Sequence, residues 1–333
     1  MVQGPKTRRT DLPPTSRRCH ARRHHFVRPG RALLLSFLLA SCLRLFAQDL
    51  APRAYVITPI HTNAVILTWG YYNGGINFGG SVPITGATGS YSVPVISLYH
   101  TLSFFGRSAN FTASLPYAVG TFEGAVLGTQ TSVYRSGLAD ASFRFSVNLL
   151  GGPAIPVQEF ARWKQKTLLG ASLRVIAPTG QYDGTKLINW SINRWAFKPE
   201  LGYSRRLGNW LLDGYGGVWL YTTNSAAFAG PAPQPQTQQP IGSLEGHLSY
   251  DFGQRTWVSF DGNFWWGGIT SLSGVTNLAS KQVGSRLGGT GSLRLSRHHS
   301  VKISYSNGTY VRFGGNYQNL SVGWQYSWLG RPN

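Results

Sequence analysis

Charged side chains spaced two residues apart, inside otherwise apolar segments, are the residues of this chain best suited to chemistry. The best cluster combines Glu245 and His247 from one segment with Asp261 from WVSFDGNFWWGG, residues 257–268. Side chains two residues apart lie on one face of a β-strand. If FGQ, residues 252–254, is a three-residue hairpin loop, Glu245 lies opposite Asp261. Like charges at that spacing repel each other, so we expect either a base beside them or a raised carboxyl pKa. The cluster is then either a functional site or a neutralised structural network.

Twelve segments of strand length carry such faces, and the spacers between them alternate between long and short. The long spacers have ten to twenty residues rich in Gly, Asn, Thr and Pro, whereas most of the short ones are tight turns. This order is typical of an all-β, antiparallel up-and-down transmembrane β-barrel, here of about 12 strands with a range of 10 to 14. The predicted strands are 63–72, 93–105, 109–119, 137–149, 165–177, 194–206, 210–222, 240–251, 256–266, 284–295, 299–307 and 318–328.

The composition of the two faces separates a membrane barrel from a soluble β-sandwich, whose strands would also alternate. The polar faces consist of Ser, Asn, Thr and Gly with few charges, and charged residues make up only 13% of the chain. The apolar faces end in Trp and Tyr, as in SVGWQYSW, from Ser321 to Trp328. Aromatic residues at the ends of a lipid-facing band are typical of outer-membrane barrels, so we favour the barrel.

Charged residues on the polar faces are predicted to line the lumen, because an Arg or Lys that faces the bilayer midplane costs about 2–4 kcal/mol. Two interpretations stay open: a permeation path whose charges set its width and preference, or ion pairs that hold the barrel closed. The lumen candidates are Asp140, Arg144, Arg174, Lys198, Glu200, Asp213, Glu245, His247, Asp261, Arg286 and Arg294.

Residues 1–47 are predicted to be a secretory signal peptide with a basic N-terminal extension. Basic residues crowd its start, the apolar ALLLSFLLA follows, and we place the cleavage after Ala47. LASC, residues 39–42, is an alternative lipoprotein site that would be acylated at Cys42. Both cysteines, Cys19 and Cys42, fall in this leader, so the mature chain is expected to have no disulfide framework.

The rest of the chain divides into a short periplasmic segment (48–62), the barrel (63–328) and a C-terminal tail (329–333). Only about 15 residues separate the cleavage site from the first strand, too few for the large plug of an energised receptor. Whether this segment or a loop enters the lumen stays open.

Enzymatic, metal-dependent and nucleic-acid functions are not expected. The mature chain has no Cys and no closely spaced His cluster that would hold a metal, and no cofactor is predicted. The net charge falls from +20 for the whole chain to 21 minus 10, or +11, without the leader, which weakens a nucleic-acid interpretation. His100 falls on an apolar face, where lipolytic barrels carry theirs, but no outward Ser or Asn partner is apparent in the sequence.

Several stretches resemble one family of bacterial outer-membrane proteins, the meta-pathway of phenol degradation family. They include QDLAPRAYVITP (48–59), YRSGLADASFRFSVNLLGGPAI (134–155) and, most specifically, the APTGQYD…LIN…NRWAFKPE block within 166–206. The resemblance implies a β-barrel of the outer membrane that is often described as a transporter and associated with the degradation of aromatic compounds. It implies no catalytic residues.

We therefore expect an outer-membrane channel for the passive or facilitated passage of small solutes, of which aromatic or hydrophobic ones fit the resemblance. The alternative is a non-conducting structural or adhesive barrel. The expected partners are outer-membrane lipid, the solute and the barrel assembly machinery. That machinery would recognise the stretch from Ser321 to Trp328, although five residues follow the final aromatic, where such chains commonly stop.

Overall fold

The computed structural model describes residues 50–78, 84–230 and 232–330, with Met1 and Gly4 besides. The predicted signal peptide and the lipoprotein alternative at Cys42 therefore lie outside the described residues. No helix within the described ranges is long and apolar enough to cross a membrane.

Seventeen strands and one short helix follow each other along the described chain. In chain order they are β1 (Thr62–Asn77), β2 (Ile84–Phe104), β3 (Arg107–Val126), β4 (Thr129–Leu138), β5 (Ser142–Leu150), α1 (Val157–Phe160), β6 (Thr167–Ile176), β7 (Ala196–Leu207), β8 (Trp210–Tyr221), β9 (Asn224–Ala227), β10 (Gln234–Gln238), β11 (Ile241–Asp251), β12 (Thr256–Gly267), β13 (Thr270–Leu272), β14 (Val275–Asn277), β15 (Gln282–Arg294), β16 (His299–Val311) and β17 (Gly314–Leu329). A 3-10 turn, Leu278–Ser280, precedes β15.

Thirteen of these strands form one closed antiparallel sheet. The first strand, β1, pairs with β2 on one side and with the last strand, β17, on the other, and the pairing of β2 with β3 completes the ring. Strands β4 and β5 both pair with β3, at residues 117–126 and 109–114, and together make one interrupted barrel strand. The barrel thus has twelve strands, which confirms the predicted fold and strand number.

The two faces of each strand have opposite surroundings, as the alternation predicts. In β12 the side chains of Val258 and Phe260 are exposed on the outer wall, whereas Ser259 and Asp261 are buried inside it. The outward residues of the closing strand β17 are Val322, Trp324, Tyr326 and Trp328. A wall with apolar side chains outside and polar ones inside matches lipid around the barrel and a polar lumen within it.

The two ends of the barrel differ. Short turns at 105–106, 208–209 and 252–255 close one end, which we call the short-turn end. At the opposite, long-loop end, several strands run beyond their predicted limits, and β3 and β4 continue into a hairpin that the sequence indicated as a loop. Above the wall, the connections fold into a separate four-stranded sheet of β9, β10, β13 and β14, packed on Ala227, Ala229 and Leu272.

The N-terminal segment, residues 50–61, lies inside the barrel. It enters from the short-turn end, where the backbone N–H of His61 donates to the carbonyl of Thr101 (3.0 Å). Tyr55 is only 1% exposed because its ring fills the space over two inward glycines, Gly170 in β6 and Gly202 in β7, which face each other across the strand pair. The sequence left open whether this segment enters the lumen, and the structure shows that it does.

Candidate functional site in the barrel lumen

A network of ion pairs around Lys198 lies at the centre of the lumen. The Lys198 Nζ atom is 2.7 Å from Glu200 Oε2 and 2.7 Å from Glu245 Oε1, and Arg144 Nη2 is 3.2 Å from Glu200 Oε1. Lys198 and Glu200 both face inward because the outward Pro199 separates them in β7. A small polar cavity adjoins the network and is lined by Ala51, Arg144, Ser172, Arg174, Lys198, Glu200 and Glu245. The structure thus brings together five of the predicted lumen residues.

The predicted pairing of Glu245 with Asp261 is wrong. The β11–β12 register instead pairs Glu245 with Asn263 and His247 with Asp261. The reason is the position of the turn, which is centred on Gln254 and not on Gly253: the Phe252 N–H donates to the Thr256 carbonyl (2.9 Å), and residues 253–255 lie between them. The shift of two residues keeps every side chain on its predicted face but changes its neighbour.

His247 occupies the middle of this second cluster. Its Nδ1 atom is 2.9 Å from Asp261 Oδ1 and its Nε2 atom is 3.8 Å from Glu245 Oε2. The Thr290 hydroxyl donates to the other oxygen of Asp261 (2.7 Å). His247 and Asp261 are buried at 2% and 0% exposure, so the base expected near these carboxylates is present, inside a network with little contact with solvent.

The N-terminal segment completes the central part of the lumen. The Tyr55 hydroxyl is 3.0 Å from Ser172 Oγ and donates to Glu200 Oε1 (3.0 Å), and burial raises the pKa of Tyr55, which keeps this donor protonated. Arg53 forms an ion pair with Asp251 (2.7 Å), and its backbone N–H donates to Asp213 (3.3 Å). Segment and wall are therefore joined by charged and polar side chains.

Aromatic side chains fill the long-loop half of the lumen. Tyr91 lies 5.6 Å from Trp190, 5.8 Å from Phe122 and 5.2 Å from Tyr317, measured between ring centroids. Trp190 belongs to the 177–195 connection, which turns back into the barrel. Asp140 secures this connection, because its carboxylate accepts hydrogen bonds from the backbone N–H groups of Gly180 (3.0 Å) and Ile192 (2.7 Å).

The remaining predicted lumen residues are dispersed. Arg286 is buried in the long-loop half and donates to Ser306 Oγ (3.0 Å). Asp213 is buried near the short-turn end beside Ser204. Arg294 ends β15 at the short-turn rim, where it is exposed, so it does not join the central network.

Sequence reasoning missed four residues: Arg53, Tyr55, Asn63 and Arg194. Asn63 faces outward, and its Oδ1 atom is 2.8 Å from Nδ1 of His100, so the outward partner that the sequence did not reveal is present. The outward neighbours of His100 along β2 are Leu98 and Leu102, and Phe111 lies opposite on β3. None of these positions supplies the hydroxyl nucleophile that lipolysis needs.

A closed β-barrel with an apolar, aromatic outer wall and a polar lumen has the architecture of outer-membrane barrels. The chain belongs to the family described as "Putative MetA-pathway of phenol degradation", whose model matches residues 73–328. The barrel is similar to an outer-membrane channel from Pseudomonas putida F1, with 16% sequence identity and a TM-score of 0.69, over 84% of this chain and 100% of the other.

More distant barrels have TM-scores below 0.5. The β domain of the Bordetella autotransporter BrkA has 15% identity and a TM-score of 0.49, over 80% of this chain and 100% of its own. The transport unit of the Escherichia coli autotransporter AIDA-I has 11% identity and a TM-score of 0.48, over 90% and 98%. No curated protein matches the chain.

Proposed function

We propose that this protein is an outer-membrane channel through which small aromatic or apolar solutes pass by passive or facilitated diffusion. The observation that carries the proposal is the way residues 50–59 occupy the lumen. Apart from the bond from the Thr62 N–H to the Pro59 carbonyl, where the segment joins β1, every hydrogen bond between these residues and the wall that the structure describes involves a side chain, as in the contacts of Arg53, Tyr55 and Thr58. Such bonds exchange with water more readily than a backbone ladder does, so the segment can leave while the barrel stays intact.

The solute class follows from the two halves of the lumen. The long-loop half presents aromatic rings, including Trp190 and Trp219, which suit apolar or aromatic molecules. The central network around Lys198 presents paired charges, and these would orient a polar group on the solute. Membership of a family described by phenol degradation, and similarity to a barrel that is itself an outer-membrane channel, support this assignment.

The predicted lumen residues receive different roles in this proposal. The centre of the path is lined by Arg144, Arg174, Lys198, Glu200 and Glu245. His247, Asp261 and Asp213 support the wall behind that path, Asp140 holds the 177–195 connection, and Arg286 lies in the long-loop half. Arg294 is a rim residue that a solute meets only at the short-turn end.

The cellular location and orientation of the protein are part of the same proposal. Residues 1–47 would direct export and be removed, and the barrel would sit in outer-membrane lipid with its short-turn end in the periplasm. The stretch from Ser321 to Trp328 would engage the barrel assembly machinery. Its support is that this stretch exposes four aromatic or apolar side chains outward and that its strand, β17, pairs with both β1 and β16, so this strand closes the barrel.

A non-conducting structural or adhesive barrel is the second candidate. It is favoured by the filling of the lumen from both ends, by residues 50–61 and by Trp190. The four-stranded sheet at the long-loop end would then be the functional surface.

Conductance in planar bilayers and swelling of liposomes, with the purified mature protein, separate the two candidates. We expect a small conductance for the complete chain, a larger one after deletion of residues 50–59, and faster entry of phenol than into protein-free liposomes. A heat-dependent shift on an electrophoresis gel verifies that the deletion variant is folded. A folded deletion variant that passes no ions, and phenol no faster than protein-free liposomes do, would overturn the channel and leave the structural barrel.

A further inference from the structure

Arg194 is a buried cation in the long-loop half of the lumen. It precedes β7 by two residues and shares the inward parity of Lys198 and Glu200, and it is 4% exposed. Its Nη2 group donates to Gln238 Oε1 (2.6 Å), and its guanidinium lies over the ring of Tyr221, 4.8 Å from the centroid. Neither contact supplies a negative charge.

The charge of Arg194 has no counter-ion in the part of the chain that the structure describes. No described carboxylate lies within ion-pair distance of it, and its Nε and Nη1 atoms are buried without a hydrogen-bond partner. Burial lowers the pKa of Arg194 to about 10, so the side chain is still cationic at neutral pH. A buried charge without a partner is strongly destabilising. Arg144 and Lys198, by contrast, are paired with glutamates.

A second unsatisfied donor and an apolar cluster lie beside Tyr221, the ring that Arg194 covers. The ring of Tyr221 stacks on Trp219 with 6.4 Å between centroids. The Trp219 indole N–H is buried without a partner, although Trp219 is only 1% exposed. Trp219 packs with Ile241 and Trp265 in one apolar cluster. The site therefore offers positive charge and hydrogen-bond donors beside an apolar surface, and it lacks an anionic acceptor.

We propose that Arg194 binds the carboxylate of a small aromatic or apolar acid, whose hydrocarbon part packs on the Trp219 cluster. The carboxylate oxygens accept hydrogen bonds from the free guanidinium N–H groups and from the Trp219 indole. A single negative charge balances a single unpaired cation, so a monoanion fits this site better than a phosphate. The inference rests on the proposed function only in treating the lumen as the path of the solute, and it narrows the solute class to acids.

Titration calorimetry with benzoate on the folded protein in detergent tests the site, with benzyl alcohol as the neutral probe. We expect Arg194→Gln to weaken benzoate binding by about a hundredfold, as loss of one partner of a buried charge pair does, and to leave benzyl alcohol unchanged. Arg312→Gln is the matched control, because Arg312 is exposed at the same end of the barrel, and it should bind benzoate as the unaltered chain does.

Trp219→Phe keeps the ring and removes the N–H, so it should weaken benzoate binding by about tenfold if the indole is a donor. It also tests the site if Arg194→Gln does not fold. Unchanged benzoate affinity in folded Arg194→Gln and Trp219→Phe would overturn the proposal. Displacement of benzoate by an equal concentration of chloride would also overturn it, because the site would then be a general anion site.

Failure here is distinguishable from failure of the channel. If the protein speeds the entry of phenol into liposomes but benzoate does not bind, the acid site is wrong and the channel stands. If benzoate binds at Arg194 but no solute crosses, the site stands and the channel is wrong.

Discussion

Replacement of Gly202 by alanine should expel the N-terminal segment from the lumen. A Cβ atom at this position would lie 2.0 Å from Cε2 of Tyr55 and 2.3 Å from its Cδ2, far inside van der Waals contact, so the ring cannot stay. A buried aromatic side chain removes about 150–250 Å² from water, which at about 25 cal/mol per Å² corresponds to about 4–6 kcal/mol. Loss of even half of this free energy raises the population with the segment displaced by about a hundredfold.

Single-channel conductance and chemical labelling would measure this displacement. Both cysteines precede residue 50, so a cysteine introduced at Ala51 is a unique label site in a protein produced from Gln48 onward. We expect Gly202→Ala to raise both the conductance and the labelling rate of this cysteine. Gly170→Ala should do the same, because its Cβ would lie 2.2 Å from Cδ1 of Tyr55.

Gly214→Ala is the matched control, since Gly214 faces outward on the neighbouring strand and a Cβ there meets nothing within 4 Å. It should behave as the unaltered protein does. A folded Gly202→Ala protein with unaltered conductance and a protected cysteine would show that Tyr55 does not hold the segment in the lumen.

Three further changes test other parts of the barrel. Asp140→Ala removes the acceptor for two backbone N–H groups of the 177–195 connection, and each charged hydrogen bond contributes about 1.5–3 kcal/mol. The temperature at which the barrel unfolds in a heat-modification gel should therefore fall clearly, and it should fall less for Asp140→Asn. Lys198→Met leaves two buried glutamates without their shared cation and should lower the free energy of unfolding in urea by about 3–5 kcal/mol. Adding Glu245→Gln should recover part of this free energy. If the effects of the two changes on the free energy of unfolding simply add, the network is contradicted. Removal of residues 321–333 deletes half of the closing strand, so the chain should be exported but should not appear as a folded barrel in membrane fractions; normal assembly would refute the role of this strand.

The barrel was predictable because lipid and lumen impose opposite demands on successive residues. Val258, Phe260 and Asp261 show this alternation in the sequence alone, and tertiary packing does not change it. The register of the β11–β12 hairpin was not predictable, because a turn centred on Gly253 and a turn centred on Gln254 both fit FGQR. A shift of two residues preserves both faces, so the hydrophobic pattern cannot detect it.

The interior of the lumen was predictable only in part. Inward parity selected Lys198, Glu200 and Glu245, which the structure places facing the lumen. It says nothing about a segment without strand periodicity, so Arg53 and Tyr55 were missed. The inward glycines at 170 and 202 were the available signal, because two missing side chains on adjacent strands leave a space that something must fill. Arg194 begins a predicted strand and has the same parity as Lys198, so its inward position could also have been predicted from the sequence.

The tie between Arg53 and Asp251 constrains the order in which the chain assembles. These two residues are 198 positions apart, and the Tyr55 hydroxyl bonds to β6 and β7, whereas residues 58–61 bond to the nearby β2. Arg53 and Tyr55 thus have no complete docking surface until most of the wall has formed, and contacts of such long sequence separation form late. Arg53 and Tyr55, which precede every barrel strand in the sequence, are therefore among the last residues to reach their native position, and their burial in the lumen marks a finished barrel.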